Sequence, residues 1–343
     1  MQAAAGVVAV GALAACDDSL PAATMPEPDE KQKALKRKGR SKVLIKEALN
    51  YDAVQTALRE AWKEIGPSVK DKAVFLKLNL VDFRENIPCC THAAVVAAAI
   101  EVLKEAGAKE IKVGDGPALS RDTERIARMN GIETVCKNAK IEFVDLNLDD
   151  LEKVDNPLNF TGIDEFLLPR TVLKSDLLIS VPKLKTHHWA LMTCSMKNLF
   201  GVIPGRKYGW PKNLLHVRGI NQSILDIVSA VKPGFAIVDA VQCMEGDGPL
   251  NGSAKDLGLL ILGDDLVAVD TVAGLCMELP VHNIPYLRLA GKVLGNADIG
   301  QIDVQGAKID SVKKTFVLPP TFEPDGRPKD LRKLAKGAES GVT

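Results

Sequence analysis

The sequence predicts an α/β protein built on a mostly parallel sheet with helices on both faces. Three observations lead there. Short apolar runs at Ala73 to Leu78, Leu177 to Val181 and Phe235 to Val238 have the near-continuous hydrophobicity of strands buried on both sides. Segments with helical spacing lie between such runs, so strand and helix alternate through the first half of the chain. Hydrophobic residues make up 46% and charged residues 26% of the 343, the composition of an ordinary globular protein with a substantial core. That length admits either two domains or one large doubly wound body.

The chain opens with an address. Ala3 to Ala15 is apolar, small and too short to span a bilayer as a helix, and it ends in Leu13-Ala14-Ala15-Cys16. Residues 1–16 read as a signal peptide with a bacterial lipobox, truncated because only Met1 and Gln2 stand where a positive region is expected. Lipidation of Cys16 would attach the protein to a membrane, so an extracytoplasmic location is expected, periplasmic or as a membrane-anchored lipoprotein. Residues 17–41 read as a linker, Pro-rich at Pro21, Pro26 and Pro28 and then basic from Lys31 to Arg40. The formal net charge is zero, so no global field recruits nucleic acid, and the basic run reads as a solvated segment.

The α/β domain is expected over residues 42–317. Lys42 to Lys46 forms its first strand, and Asp52 to Ile65 an amphipathic helix with Leu58 and Trp62 inward. Ala73 to Leu78 is the next strand, ending at Asn79. A loop through Asp82, Arg84, Cys89 and His92 leads to a helix over Ala93 to Ala106, which Gly107 closes. Glu110 to Val113 is a short strand running into Gly114-Asp115-Gly116-Pro117. Helices at Asp122 to Met129 and Ile132 to Lys137 precede a strand at Ile141 to Asp145. Around residues 146–170 the alternation breaks into a small excursion, with Glu165 to Leu168 as one arm of a hairpin. Leu177 to Val181 resumes the buried pattern. A helix from Ile220 stops at Lys232-Pro233-Gly234, strands follow at Phe235 to Val238 and Leu257 to Leu262, and Val267 to Met277 is helical. Residues 318–343, rich in proline, read as a peripheral or partly disordered tail.

Ligands of open parallel sheets bind beyond the carboxyl ends of the strands. Four predicted strands discharge polar groups there: Asn79, Asp115, the pair Lys183 and Lys185, and Asp239. Pro182 favours extended backbone, and continued extension would place Lys183, Lys185 and His187 on one face, with Leu184, Thr186 and His188 on the other. Two lysines beside a histidine repel one another, which makes the site want an anion, a carboxylate or phosphate. The sharper alternative is a lysine whose pKa is depressed, acting as base or nucleophile. Lys197-Asn198 is a second polar insertion, and Gly201 and Gly205 after it would let backbone approach a ligand closely. His216 stands near the next helix, as a packing residue or a proton carrier. Asp239, Glu245 and Asp247 form a third cluster, able to neutralise the lysines or, with His187 or His216, to hold a divalent metal. No C-x-x-C pair exists among the cysteines, so no iron–sulfur cluster is expected and the cofactor stays open.

The runs VPKLKTH, MKNLFGVIPG, FAIVDA with EGDGP, and GDDLVAVD stand in an order and spacing similar to the bacterial and archaeal family called domain of unknown function 362. The resemblance covers about Lys42 to Leu294. It implies an α/β fold and directs attention to Lys183, Lys185, His187, Lys197, Asn198, His216, Asp239, Glu245 and Asp247. Many relatives carry a ferredoxin-like cluster segment, which this chain lacks. The expectation is an exported enzyme acting on a small anionic molecule. Lys183 and Lys185 would hold the anion, His187 or His216 would move protons, and Asp239, Glu245 and Asp247 would orient them. The alternatives are a non-catalytic, lipid-anchored binding protein for an anion or metal complex, and a redox accessory without the iron–sulfur segment.

Overall fold

The computed structural model describes residues 25–118 and 122–329. The signal-peptide reading and Cys16 lie outside the described residues. In chain order the strands are β1 (Ser41–Glu47), β2 (Ala73–Leu78), β3 (Glu110–Asp115), β4 (Glu142–Asp145), β5 (Leu151–Asp155), β6 (Glu165–Pro169), β7 (Leu177–Val181), β8 (Lys183–His187), β9 (Leu191–Thr193), β10 (Phe235–Glu245), β11 (Ser253–Gly263) and β12 (Ile302–Gly306). Ten of them form one sheet in the order β12-β1-β11-β10-β7-β2-β3-β4, with β8 added to β10 and β9 to β8. The run β10, β7, β2, β3, β4 is parallel throughout.

Both faces of this sheet are covered. Helices Val54–Ile65 and Ala93–Glu105 bury Leu58, Trp62, Val96 and Ile100 on one side, in one core with Leu76, Val113 and Ile179. Helices Ile220–Val231, Leu266–Cys276 and Pro285–Val293 fill the other with Ile224, Val269 and Leu289. The helix expected from Ala93 ends at Glu105, and Gly107 with φ of 80° makes the left-handed exit that a side chain would resist.

The strict alternation does not persist into the second half. β10 turns directly into β11, which runs antiparallel to it and to β1, so β1 lies across β11 from the parallel run rather than beside β2. Gly246, with φ of 80°, opens the connection. β12 was not anticipated, although Ile302-Asp303-Val304-Gln305 alternates apolar and polar residues as a short strand at a sheet edge does. The excursion is the two-stranded hairpin of β5 and β6. Buried Asp226 pins its loop, accepting from the N–H groups of Phe160 and Thr161 at 3.0 and 2.9 Å and from Asn156 Nδ2 at 2.9 Å.

The described parts of the linker and tail are docked on this body. The helical turn Glu30–Lys33 carries a capping box with Asp29, Gln32 donates to the Leu158 carbonyl, and Arg37 pairs with Asp264 at 2.8 Å. Beyond residue 317, Phe322 is 4% exposed, and the Thr321 hydroxyl donates to the His188 carbonyl at 2.6 Å. Proline content concealed the polar anchors of the linker and the apolar anchor Phe322 of the tail.

Candidate functional site

Strand order locates the site. From β2 the chain steps outward to β3 and β4, then crosses back to lay β7 on the other side of β2 and continue to β10. The order reverses between β2 and β7, and a crevice opens beyond the carboxyl ends of such strands. Lys77 stands at the end of β2, and β7 runs through Pro182 into β8, which pairs with β10.

On β8 the two lysines of the expected face are both buried, Lys183 at 1% and Lys185 at 0% exposed. Lys183 is fully committed. Its Nζ lies 2.6 Å from Asp239 Oδ2, donates to the Tyr51 hydroxyl at 2.6 Å and to the Gln242 carbonyl at 3.1 Å. Asp239 is equally engaged, accepting from the His92 N–H at 2.9 Å and the Tyr51 hydroxyl at 3.3 Å. Burial pulls the Lys183 ammonium down, but Asp239 and Tyr51 outweigh it and hold it above the ordinary lysine value. The His92 ring stacks on Tyr51 with centroids 3.5 Å apart, and burial lowers its pKa. The three protons of Lys183, expected to help clamp an anion, thus have acceptors in Asp239, Tyr51 and Gln242.

A second ion pair underlies the turn after Asn198. Lys77, wholly buried, lies 2.5 Å from Asp115 Oδ1 and donates to the carbonyls of Leu78 at 2.6 Å and Asn198 at 3.1 Å. Asp115 also accepts from the Leu80 and Gly116 N–H groups at 2.5 and 2.7 Å. Lys212 donates to the carbonyls of Gly116 and Phe200 at 2.7 and 2.8 Å, and burial holds its pKa well below the ordinary value. Asn198 donates to the Lys77 carbonyl at 2.9 Å, which makes it a brace of this layer. Gly201 is small for a different reason than expected: a Cβ there would strike Asp115 and Lys77, and one on Gly205 would strike the Trp210 ring.

The remaining cations have little to neutralise them. Lys185 donates to the Cys89 carbonyl at 2.5 Å, and burial pulls its pKa down to about 8. Lys197, partly open to solvent, stands over the Phe200 ring 4.1 Å from its centroid. Burial, then the charges of Lys185 and Lys77, bring it to about 7. His187 Nδ1 accepts from the N–H groups of Trp189 and Ala190 at 3.1 and 3.2 Å, so Nε2 carries the proton of the neutral ring. Burial and Lys197 hold His187 well below the ordinary value. His216 Nδ1 faces the Lys212 carbonyl at 3.1 Å and therefore bears the hydrogen, leaving Nε2 as an acceptor. Its pKa falls to about 4 through burial and Lys197, and its ring packs against Trp189 and Phe200, each 5.2 Å away. Thr193, paired across from Lys185 in the β8–β9 register, has a buried hydroxyl without a partner among the described residues, as does Asn198 Oδ1.

Lys197 sits on a short helical turn, Ser195–Asn198, that Asp270 anchors. This buried carboxylate accepts from the N–H groups of Ser195 and Met196 at 2.8 and 3.3 Å and from the Ser195 hydroxyl at 2.5 Å. Burial raises it to about 6 against those hydrogen bonds. Asp270 does not cap its own helix, Leu266–Cys276; Asp265 does, through the Val267 N–H at 2.9 Å.

Two expected partners lie elsewhere. Glu245 accepts from the Val317 N–H at 2.9 Å and lies 3.5 Å from Lys255, while Asp247 lies 3.9 Å from His188 and accepts from Asn251. Neither neutralises Lys183 or Lys185. Among the described residues no three His, Cys, Asp or Glu groups converge to hold a metal ion, so the divalent-metal alternative finds no ligand set there. Cys89 and Cys90, with Sγ atoms 3.9 Å apart, both donate to the Asp82 carbonyl. The Cys90 hydrogen bond, against burial, and the Lys185 charge lower Cys89 to about 6. Asp115, expected at a strand end, is part of the site, and Tyr51, His92, Lys77, Lys212 and Cys89 complete it without having been among the residues proposed from sequence. A lysine inside the apolar run AVFLKL was a signal for Lys77; Tyr51 and Lys212 had none.

The family model described as domain of unknown function (DUF362) matches residues 74–274. A thylakoid-associated protein of Synechocystis is 29% identical over 221 residues, which span 62% of this chain and 65% of that protein's length. Among solved structures, the lactate racemase apoprotein of Thermoanaerobacterium thermosaccharolyticum superposes over 67% of this chain and 56% of its own, with a TM-score of 0.41 and 11% identity. A Thermotoga maritima protein covers 76% of this chain and 62% of its own at a TM-score of 0.34 and 14% identity. Neither structural likeness is close enough to bear on function. Among the described residues no helix is long and apolar enough to cross a membrane.

Proposed function

We propose, for a chain that belongs to the DUF362 family, that the crevice beyond β2 and β7 binds a small oxyanion, a carboxylate or phosphate, and acts on it as an enzyme. The carrying observation is a charge imbalance. Lys77, Lys183, Lys185, Lys197 and Lys212 gather with their amines in the interior, and among the described residues only Asp115 and Asp239 pair with any of them. Withdrawing an ammonium from water costs several kcal/mol, and one carbonyl acceptor recovers a part of that. An anion between Lys185 and Lys197 would relieve both. His187 Nε2–H and the Thr193 hydroxyl would supply neutral donors, and His216 Nε2 would exchange protons with the bound molecule. The Lys183–Asp239 and Lys77–Asp115 pairs form the rigid floor. Export and attachment through Cys16 remain part of the proposal on the N-terminal sequence, and a thylakoid-associated relative fits a membrane-peripheral location.

Thermal unfolding of the full chain with inorganic phosphate, sulfate or acetate tests the pocket. At least one should raise the midpoint of the wild type in a saturable manner, and Lys185→Met should abolish that shift while Lys153→Met, on the exposed hairpin, keeps it. No shift with any of them in the wild type, or an unchanged shift in Lys185→Met, would remove the basis of this reading.

A further inference from the structure

We infer that Lys197 is the amine nucleophile of this site and that its substrate is a small oxo acid, held by its carboxylate while the carbonyl carbon is attacked. The inference rests on the oxyanion reading above and adds the reacting atom and the substrate class.

The five interior lysines differ in what their amines touch. Lys77, Lys183, Lys185 and Lys212 each donate to at least one carbonyl or hydroxyl oxygen. Lys197 has no oxygen acceptor among the described residues; its Nζ faces the Phe200 ring. It is also the one of the five with an opening to solvent, the others being at most 1% exposed, so a ligand can reach this amine. A nucleophile needs a lone pair, a fixed position and a neighbour that moves protons. The lone pair is available at neutral pH because burial and the charges of Lys185 and Lys77 outweigh the attraction of Phe200 for an ammonium. Position comes from the Ser195–Asn198 turn that Asp270 clamps. His216, whose ring flanks Phe200, presents Nε2 for proton transfer.

A ketone or aldehyde carbon suits such an amine, and a carboxylate on the same molecule suits the surplus charge of Lys185. The Lys197 lone pair forms the C–N bond, the carbonyl C–O bond breaks, and the oxygen departs as water carrying the two amine protons, which His216 can relay. The imine that remains draws electrons from the adjacent carbon, as decarboxylation, aldol cleavage or proton exchange requires.

Borohydride trapping tests this on the full chain, with pyruvate and glyoxylate as probes. Hydride adds to the imine carbon and fixes the adduct as a secondary amine. One reduced adduct per chain is expected, mapped by peptide mass spectrometry to Lys197, with a yield that rises from pH 6 to pH 8. Lys197→Arg, folded by circular dichroism, should give none; should that variant not fold, mapping on the wild type decides. No adduct on the folded wild type, or adducts spread over surface lysines, would overturn the assignment. Stabilisation by phosphate or acetate without trapping would sink this inference alone, whereas absence of both would sink the oxyanion reading as well.

Discussion

Lys183 and Lys185 are two residues apart on one strand, both buried, and their replacement by methionine should move stability in opposite directions. Methionine keeps the length of the stem and deletes only the amine. At Lys183 the deletion strands Asp239, whose carboxylate lies 2.6 Å from the lost Nζ in a wholly buried position. Breaking one side of such a pair costs about 3–5 kcal/mol. At Lys185 no carboxylate is stranded. Its pKa, at about 8 instead of 10.5, means that the charged amine lowers stability by ~3 kcal/mol at pH 7, order of magnitude. Removing it should leave stability unchanged or increase it by up to that amount, since among the described residues the bond lost is the one to the Cys89 carbonyl. The sign follows pH. A lysine depressed in the folded state penalises folding fully below its folded pKa, and the penalty fades as pH rises from about 8 towards 10.5, so the gain in Lys185→Met should shrink between pH 7 and pH 9.5. Thermal midpoints report both variants, at roughly 2 °C per kcal/mol for a chain of this size. Oxyanion stabilisation should survive in Lys183→Met, if that variant folds, and vanish in Lys185→Met. A Lys185→Met variant as unstable as Lys183→Met would mean that Lys185 is compensated, and the charge argument for the pocket would fail with it.

Gly201→Ala should destabilise the fold by at least about 1–3 kcal/mol, because the added methyl meets both partners of the buried Lys77–Asp115 pair; a midpoint within about 1 °C of wild type would show that the layer has room to yield. The depressed histidines set an acid limb. His216, at about 4 when folded and about 6.5 when unfolded, contributes stability that is complete above about 6.5 and lost as pH falls towards 4. His216→Gln should therefore flatten the midpoint-against-pH curve in that window, and superimposable curves would count against a buried neutral imidazole.

Much of this architecture could be read from local signals. The apolar runs of β2, β7 and β10 announced strands buried on both faces, and the extended geometry at Pro182 carried the two-residue period through Lys183, Lys185 and His187, as β8 shows. What escaped was pairing over long sequence distances. Asp239, Glu245 and Asp247 looked like one acidic cluster because they are near in sequence. On an extended strand six residues cover about 20 Å, so Glu245 and Lys255 meet at the far end of β10, well away from Lys183. Tyr51 reaches the site from the loop before a helix and His92 from the cap of another, positions that only tertiary packing specifies. The hairpin from β10 to β11 was equally hidden, because a buried antiparallel strand has the same apolar run as a parallel one.

The distribution of compensation among the lysines carries the functional argument further than their number does. A fold that needed these amines only for packing would satisfy each one, as Lys77 is satisfied by Asp115 and two carbonyls and Lys183 by Asp239, Tyr51 and Gln242. It would gain stability by replacing the rest with methionine or leucine. Lys185 and Lys197 depart from that pattern close together, with neutral histidines and a threonine hydroxyl that has no partner among the described residues around them. Stability is lowered at Lys185 and Lys197, which lack a carboxylate partner among the described residues, and maintained by the neighbouring Lys77–Asp115 and Lys183–Asp239 pairs. Such a division is expected when the missing counter-charge arrives with a ligand. On the proposed reading the well-paired floor keeps in place the backbone of β8 and of the Ser195–Asn198 turn, which carry Lys185 with its single carbonyl acceptor and Lys197 with no oxygen acceptor among the described residues, so that an arriving anion would meet both charges.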